Sequence, residues 1–171
     1  MINIINYPEA YIEYLEYYHG TRDYFECHEV LEEYWKEHPD SPFRMTWVGL
    51  IQLAVAMYHH RRGNWKGAKK MLASAIRILD DQDLAQLGIA AEPLLLLMKE
   101  RLLLLEQDNQ LVFTDMNIPF IDHTLQERMT KIRTDDMVID LYLLNKHTLR
   151  DRSDVIRLRQ AEWLRRKSLQ D

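Results

Sequence analysis

His28, Glu29 and Glu32 form a His-Glu-x-x-Glu run inside the stretch YFECHEVLEEYW. A single residue type separates this run from the His-Glu-x-x-His of zinc proteases. That chemistry needs two histidines at i and i+4 on one helix, with the intervening glutamate aimed at metal-bound water. Glu32 stands where the second histidine would be, so the zinc-protease reading is set aside. A histidine and a carboxylate one helical turn apart support three other chemistries. They can start a mixed metal site that another helix completes, they can act as a base and its orienting partner, or they can be a satisfied core pair that fixes helix register.

The element that positions them reads as a helix over residues 22–37. Tyr24, Cys27, Val30, Leu31 and Trp35 fall on one arc of its wheel, and Glu26, Glu29, Glu33 and Glu37 on the other. His28 and Glu32 lie inside the apolar arc, where a carboxylate is rarely buried without a partner. The next helix carries WVGLIQLAVAMYHH, apolar almost all round and therefore central. Met45, Gly49, Gln52, Ala56 and His59 make a narrow, small and polar strip along it. The expectation is that this strip packs on the His28/Glu32 face, giving a buried cluster of His28, Glu32, Gln52 and His59 with Trp35 beside it. These five are the candidate binding residues.

Gln52 and His59 are two turns apart, about 10 Å along the axis. Metal–ligand bonds of about 2.0–2.2 Å do not let one ion hold both. No metal and no cofactor is assigned on this reading. The di-iron carboxylate pattern also fails, because it needs two Glu-x-x-His motifs; the chain offers Glu16 to His19, and Gly20 ends that helix at once.

Along the chain, Pro8 opens a first helix that Gly20 ends, and Thr21 reads as the N-cap of the second. HPDSP is a break. Ser41 and Pro42 open the third helix, which runs to Arg62 and stops at Gly63. Asn64 caps a fourth, Trp65 to about Leu79. DDQDLAQLGIAAE is a connection with one helical turn. Pro93 opens a fifth helix ending near Gln107, LVFTDMNIPFID looks extended, and Asp122 caps a short sixth helix to about Ile132. The remainder reads as one or two further helices, the last capped by Ser153. The fold class is all-α: a bundle of about five core helices over residues 1–110, then an extended crossing segment and a helical C-terminal appendage over 111–171.

Composition narrows function by exclusion. The 171 residues hold one cysteine, so no disulfide within the chain and no four-cysteine zinc site can form. Residues 1–124 carry 11 Lys and Arg against 19 Asp and Glu, which argues against nucleic-acid binding there; residues 125–171 carry 11 against 8. The longest apolar block is broken by Lys99, Glu100 and Arg101, too charged to span a bilayer. No signal peptide is read at the N-terminus, and a cytoplasmic location is expected. The lone Cys27 lies on the apolar arc and reads as inert.

The combination of Phe25, Glu26, His28, Glu29, Glu32 and Trp35 with Gly49-Leu50-Ile51-Gln52 and then Gly63-Asn64, Gly67 and Ala68 resembles a family of small prokaryotic helical proteins, domain of unknown function 309. The resemblance covers roughly residues 20–80. It implies an all-helical bundle and no established activity.

Three further surfaces invite a partner. The first helix is rich in tyrosine, read as rim packing. His60, Arg61, Arg62, Lys66, Lys69 and Lys70 gather near one helix end, where an anion would find positive charge. Leu94 to Leu97 and Leu102 to Leu105 cover every side of the fifth helix, which is therefore either fully buried or shared with another subunit. The resulting expectation is a binding or scaffolding module, with an unidentified protein partner or self-association through that leucine-rich helix. The alternatives are a hydrolase-like enzyme, metal-dependent or not, using His28 and Glu32 with Gln52 or His59, and a tetratricopeptide-like peptide binder suggested by GNWKGAKKML.

Overall fold

Local capping signals set most of the element boundaries. The computed structural model describes residues 6–132, together with Arg157 and Ala161. Seven helices are present among the described residues, and no strand: α1 Glu9–His19, α2 Tyr24–Glu37, α3 Arg44–Arg61, α4 Trp65–Ile78, α5 Asp81–Gln86, α6 Ala91–Gln107 and α7 His123–Lys131. Asn64 caps α4 by accepting from the Gly67 N–H, and Asp122 caps α7 by accepting from Thr124 and Leu125. The α2 cap is Asp23, not Thr21. Arg22 adopts a left-handed φ of 56° and delays the helix by two residues. The connection after α4 holds α5, capped by Asp80. The fifth helix of the sequence reading is α6, and it begins at Ala91, two residues before Pro93.

The chain divides into two compact units, Met1–Ile139 and Asp140–Asp171. The C-terminal helices expected beyond α7 lie outside the described residues, apart from Arg157 and Ala161, which are helical and exposed. In the first unit α3 is central. It packs most extensively on α4 and next on α2, while α1 lies against α2 and α6 against α4. Trp47, Leu50, Leu53, Ala54 and Met57 of α3 meet Tyr14, Leu15, Leu31 and Leu72 in the buried core.

Residues 111–121 run without regular structure, as expected, and polar side chains pin them to the bundle. His60 Nε2 and Trp65 Nε1 both donate to the Leu111 carbonyl, at 2.9 and 3.1 Å. Arg101 donates to the Thr114 carbonyl at 2.8 Å, and Tyr24 to Asp115 at 2.5 Å. A single antiparallel bridge joins Ile89 to Phe120. Gly88 beside it has φ 76°, and a Cβ there would lie 2.6 Å from the Tyr7 hydroxyl, so glycine answers two demands at once.

Three of the four tyrosines of α1 are core and not rim residues, while Tyr17 is half-buried. Tyr11, Tyr14 and Tyr18 are fully buried. Tyr11 donates to the Leu87 carbonyl at 2.8 Å and Tyr14 to the Leu50 carbonyl at 2.7 Å, so two of the hydroxyls are satisfied far along the chain. Burial raises both of these hydroxyls well above the usual tyrosine pKa.

Candidate functional site

The wheel of α2 is centred on Cys27 and Leu31, both fully buried, with Tyr24 and Phe25. His28 and Glu32 sit on the shoulder of that arc. Their side chains are 24% and 32% exposed, which replaces the expected buried cluster with a half-solvated one. His28 Nε2 lies 3.0 Å from Glu32 Oε2, and Lys36 reaches Glu32 Oε1 at 2.8 Å. Glu29, expected on the solvent side, approaches His28 Nδ1 to 3.5 Å. The Phe25 ring meets the His28 ring edge-on at 5.4 Å between centroids. Partial burial pushes the Glu32 carboxyl up, but the Lys36 hydrogen bond and the charge of His28 outweigh it, so the group ends below the usual carboxylate range.

The strip on α3 faces a different neighbour from the one expected. A Cβ on Gly49 would lie 2.5 Å from Leu79 Cδ2, so the close approach is to the end of α4. A Cβ on Gly67 of α4 would lie 3.0 Å from His59 Cδ2, and His59 Nδ1 is 3.2 Å from Asn64 Nδ2. The small residues therefore serve the α3–α4 seam, and His59 closes its far end. Gln52 is half-buried, and its Oε1 is buried without a hydrogen-bond partner. Trp35, also half-buried, carries the Arg44 guanidinium 4.5 Å over its ring, and Arg44 donates to its carbonyl at 3.4 Å.

Chemically, the α2 shoulder offers one nitrogen and two carboxylates. The ligand atoms of His28, Glu29 and Glu32 lie within 4.8 Å of one another, a spacing a cation can bridge. Lys36 holds the second Glu32 oxygen, so a cation would compete with an ion pair already formed. The observed arrangement is a run of polar contacts along two turns of one helix, closed by the Lys36–Glu32 ion pair, on a half-exposed shoulder of α2.

The basic cluster near the α3–α4 turn is dispersed as well. His60 is buried; its Nε2–H donates to Leu111, which leaves Nδ1 to accept from Arg101 at 3.3 Å. Burial holds His60 below its usual pKa, with the Arg101 charge adding to the effect. Arg61 turns inward, donates to the Arg22 carbonyl at 2.6 Å, and stacks 4.8 Å from the Tyr24 ring. Lys69 bonds Asn109 at 3.1 Å. Cys27 is enclosed and donates to the Tyr14 carbonyl at 3.4 Å; burial raises its thiol pKa well above the ordinary value.

Sequence reasoning weighed His19 only as half of a Glu-x-x-His pair and gave Arg22 no role at a site. Both carry buried nitrogens without a hydrogen-bond partner, and both line a cavity with residues of the crossing segment and α7. The signal lay in two polar residues flanking Gly20, read there only as a helix stop.

Fold and site together define a small all-helical bundle with a half-exposed His/Glu/Lys shoulder on one helix. The chain belongs to the family described as Domain of unknown function (DUF309), whose model matches residues 11–71. It is similar to the Uncharacterized protein YpuF of Bacillus subtilis (strain 168), with 46% identity over 176 residues that cover 96% of this chain and 99% of the relative. No solved structure matches it. Among the described residues no helix is long and apolar enough to cross a membrane.

Proposed function

We propose that the protein is a self-associating helical scaffold, in which the outer face of α6 docks on the same face of a second copy. The carrying observation is the two-sided character of this helix. Leu94, Met98 and Leu105 are buried against the bundle. Leu96, Leu97, Leu103 and Leu104, on the opposite side, are 56%, 39%, 52% and 47% exposed. Single exposed leucines are ordinary, but four on one stripe of one helix mark an interaction surface.

The stripe is also symmetric. Leu96 and Leu104 are equally far from Glu100, as are Leu97 and Leu103. A two-fold axis through Glu100 sets two antiparallel α6 helices so that Leu96 of one copy meets Leu104 of the other, and Leu97 meets Leu103. Such an interface is self-complementary, as a closed dimer requires. The same register sets the two Glu100 side chains against each other on the axis, with Lys99 of each copy one residue to the side. The single cysteine, kept as a buried thiol, supports a reducing, cytoplasmic setting for this role.

Sedimentation equilibrium from about 1 to 100 µM tests the reading. A concentration-dependent monomer–dimer transition is expected, and it disappears in the Leu97→Glu/Leu104→Glu variant. A wild-type chain that stays monomeric across the range overturns it.

A further inference from the structure

Where α1 ends, the chain, the crossing segment and α7 line a half-open cavity of about 240 Å³. Its polar lining is His19, Arg22, Asn117, Gln126 and Thr130; its apolar lining is Ile118, Phe120, Met129 and Ile132. His19 is only 7% exposed, yet its Nε2 meets no hydrogen-bond partner. Arg22 gives one nitrogen to Asn117 Oδ1 at 2.7 Å, while its Nε and Nη1 are buried with no hydrogen bond. The nearest carboxylate, Asp115, stands 4.0 Å from Nε, beyond hydrogen-bond length, and its side chain is 45% exposed. Buried polar groups of folded proteins are nearly always bonded, and each exception asks for an explanation. Three unmet nitrogens beside one cavity ask for it jointly.

We infer that this cavity binds a small carboxylate with an apolar body, its oxygens facing Arg22 and His19 and its body resting on Ile118, Phe120 and Met129. Three features select that chemistry. Guanidinium N–H groups only donate, so the ligand must accept, and an anionic oxygen is the strongest acceptor for them. Ile118 and Met129 are 2% and 5% exposed, so the inner wall is built on apolar core and disfavours a ligand that is polar throughout. The volume lies below the range of drug-sized sites, which restricts the ligand to a single ring or a short chain. Arg22 is held for this task from its backbone: its φ of 56° is one that few non-glycine residues adopt, and Arg61 bonds its carbonyl at 2.6 Å. The site is independent of the α6 face.

Benzoate is the probe. The full-length protein is titrated by NMR, following the His19 ring and the Met129 methyl group, with benzamide and inorganic phosphate in parallel. Saturable shifts with a Kd of about 1 mM or tighter are expected for benzoate alone. Arg22→Gln weakens binding at least about tenfold. Gln126→Trp, a change at an exposed lining position, removes binding while leaving the spectrum of the core unchanged. No saturable shift up to about 10 mM overturns the inference. Benzamide binding as tightly as benzoate overturns the anionic oxygen, phosphate binding as tightly overturns the apolar body, and undiminished binding in Gln126→Trp overturns the location.

Discussion

Helices α2 and α6 break the amphipathic rule in opposite directions. On α2, a histidine and a glutamate lie where apolar residues belong; on α6, four leucines lie where polar residues belong. The anomaly on α2 is resolved within the chain. His28, Glu29, Glu32 and Lys36 satisfy one another along a half-exposed shoulder. Among the described residues the anomaly on α6 has no such resolution, since Leu96 and Leu103 remain more than half exposed. A misplaced polar side chain can be answered by the next turn of its own helix. A misplaced apolar stripe on a single helix can be covered only by another surface. The outer face of α6, rather than the His/Glu motif, is therefore where the proposed self-association is placed.

The contrast can be sharpened first at the buried sides, where the two helices should behave alike. Leu31→Ala on α2 and Met98→Ala on α6 each remove a fully buried side chain and should cost about 2–5 kcal/mol in chemical denaturation. A cost below about 1 kcal/mol at either would mean that the helix is not docked as described.

Acid supplies the next effect, from outside both helices. Burial, then the Arg22 charge, lowers the His19 pKa to about 4. The unfolded chain thus takes up this proton near pH 6.5, while the folded protein resists it until about pH 4, so stability falls as pH drops through that window. The loss from this group is roughly 3 kcal/mol. Burial of His60 acts in the same direction. The denaturation midpoint of the wild type should fall further between neutral and acid pH than that of His19→Gln; equal falls would contradict the burial of His19.

Smaller still is the polar shoulder of α2. Glu32→Ala should cost no more than about 1 kcal/mol, the scale of an exposed ion pair. That contribution is present above the unfolded carboxyl pKa and disappears as pH falls through the lowered folded value. A cost of about 3 kcal/mol would restore the buried cluster. Smallest of all, Leu97→Glu/Leu104→Glu should shift the stability of the isolated monomer by less than about 0.5 kcal/mol, because both side chains already face water.

Which parts of this were legible follows from how far each signal reaches. Asn64 and Asp122 could be assigned as caps because a capping oxygen bonds N–H groups two or three residues away. The all-helical class and the two-sided leucine pattern of α6 were legible because helical periodicity is a local property. The wheel also grouped Gly49, Gln52, Ala56 and His59 on one face of α3. It could not say which neighbour that face meets, and at Gly49 and His59 the neighbour is α4, not α2. Tyr11 and Tyr14 looked like rim residues because the carbonyls that satisfy them lie 76 and 36 residues away. The shared site of His19 and Arg22 was invisible for the same reason: their cavity is completed by Phe120 and Met129, a hundred residues downstream.

The proposed two-fold contact makes one geometric demand that no other use of the α6 face shares. Glu100 lies on the axis, so the two copies of residue 100 must be neighbours, whereas the two copies of residue 96 must lie apart. Cys27 is enclosed, so an engineered surface thiol would report alone. The measurement is therefore air oxidation of Glu100→Cys beside Leu96→Cys, read as covalent dimer on a non-reducing gel. The account predicts that Glu100→Cys cross-links readily and Leu96→Cys does not. Equal yields from the two variants, or none from Glu100→Cys, would contradict it.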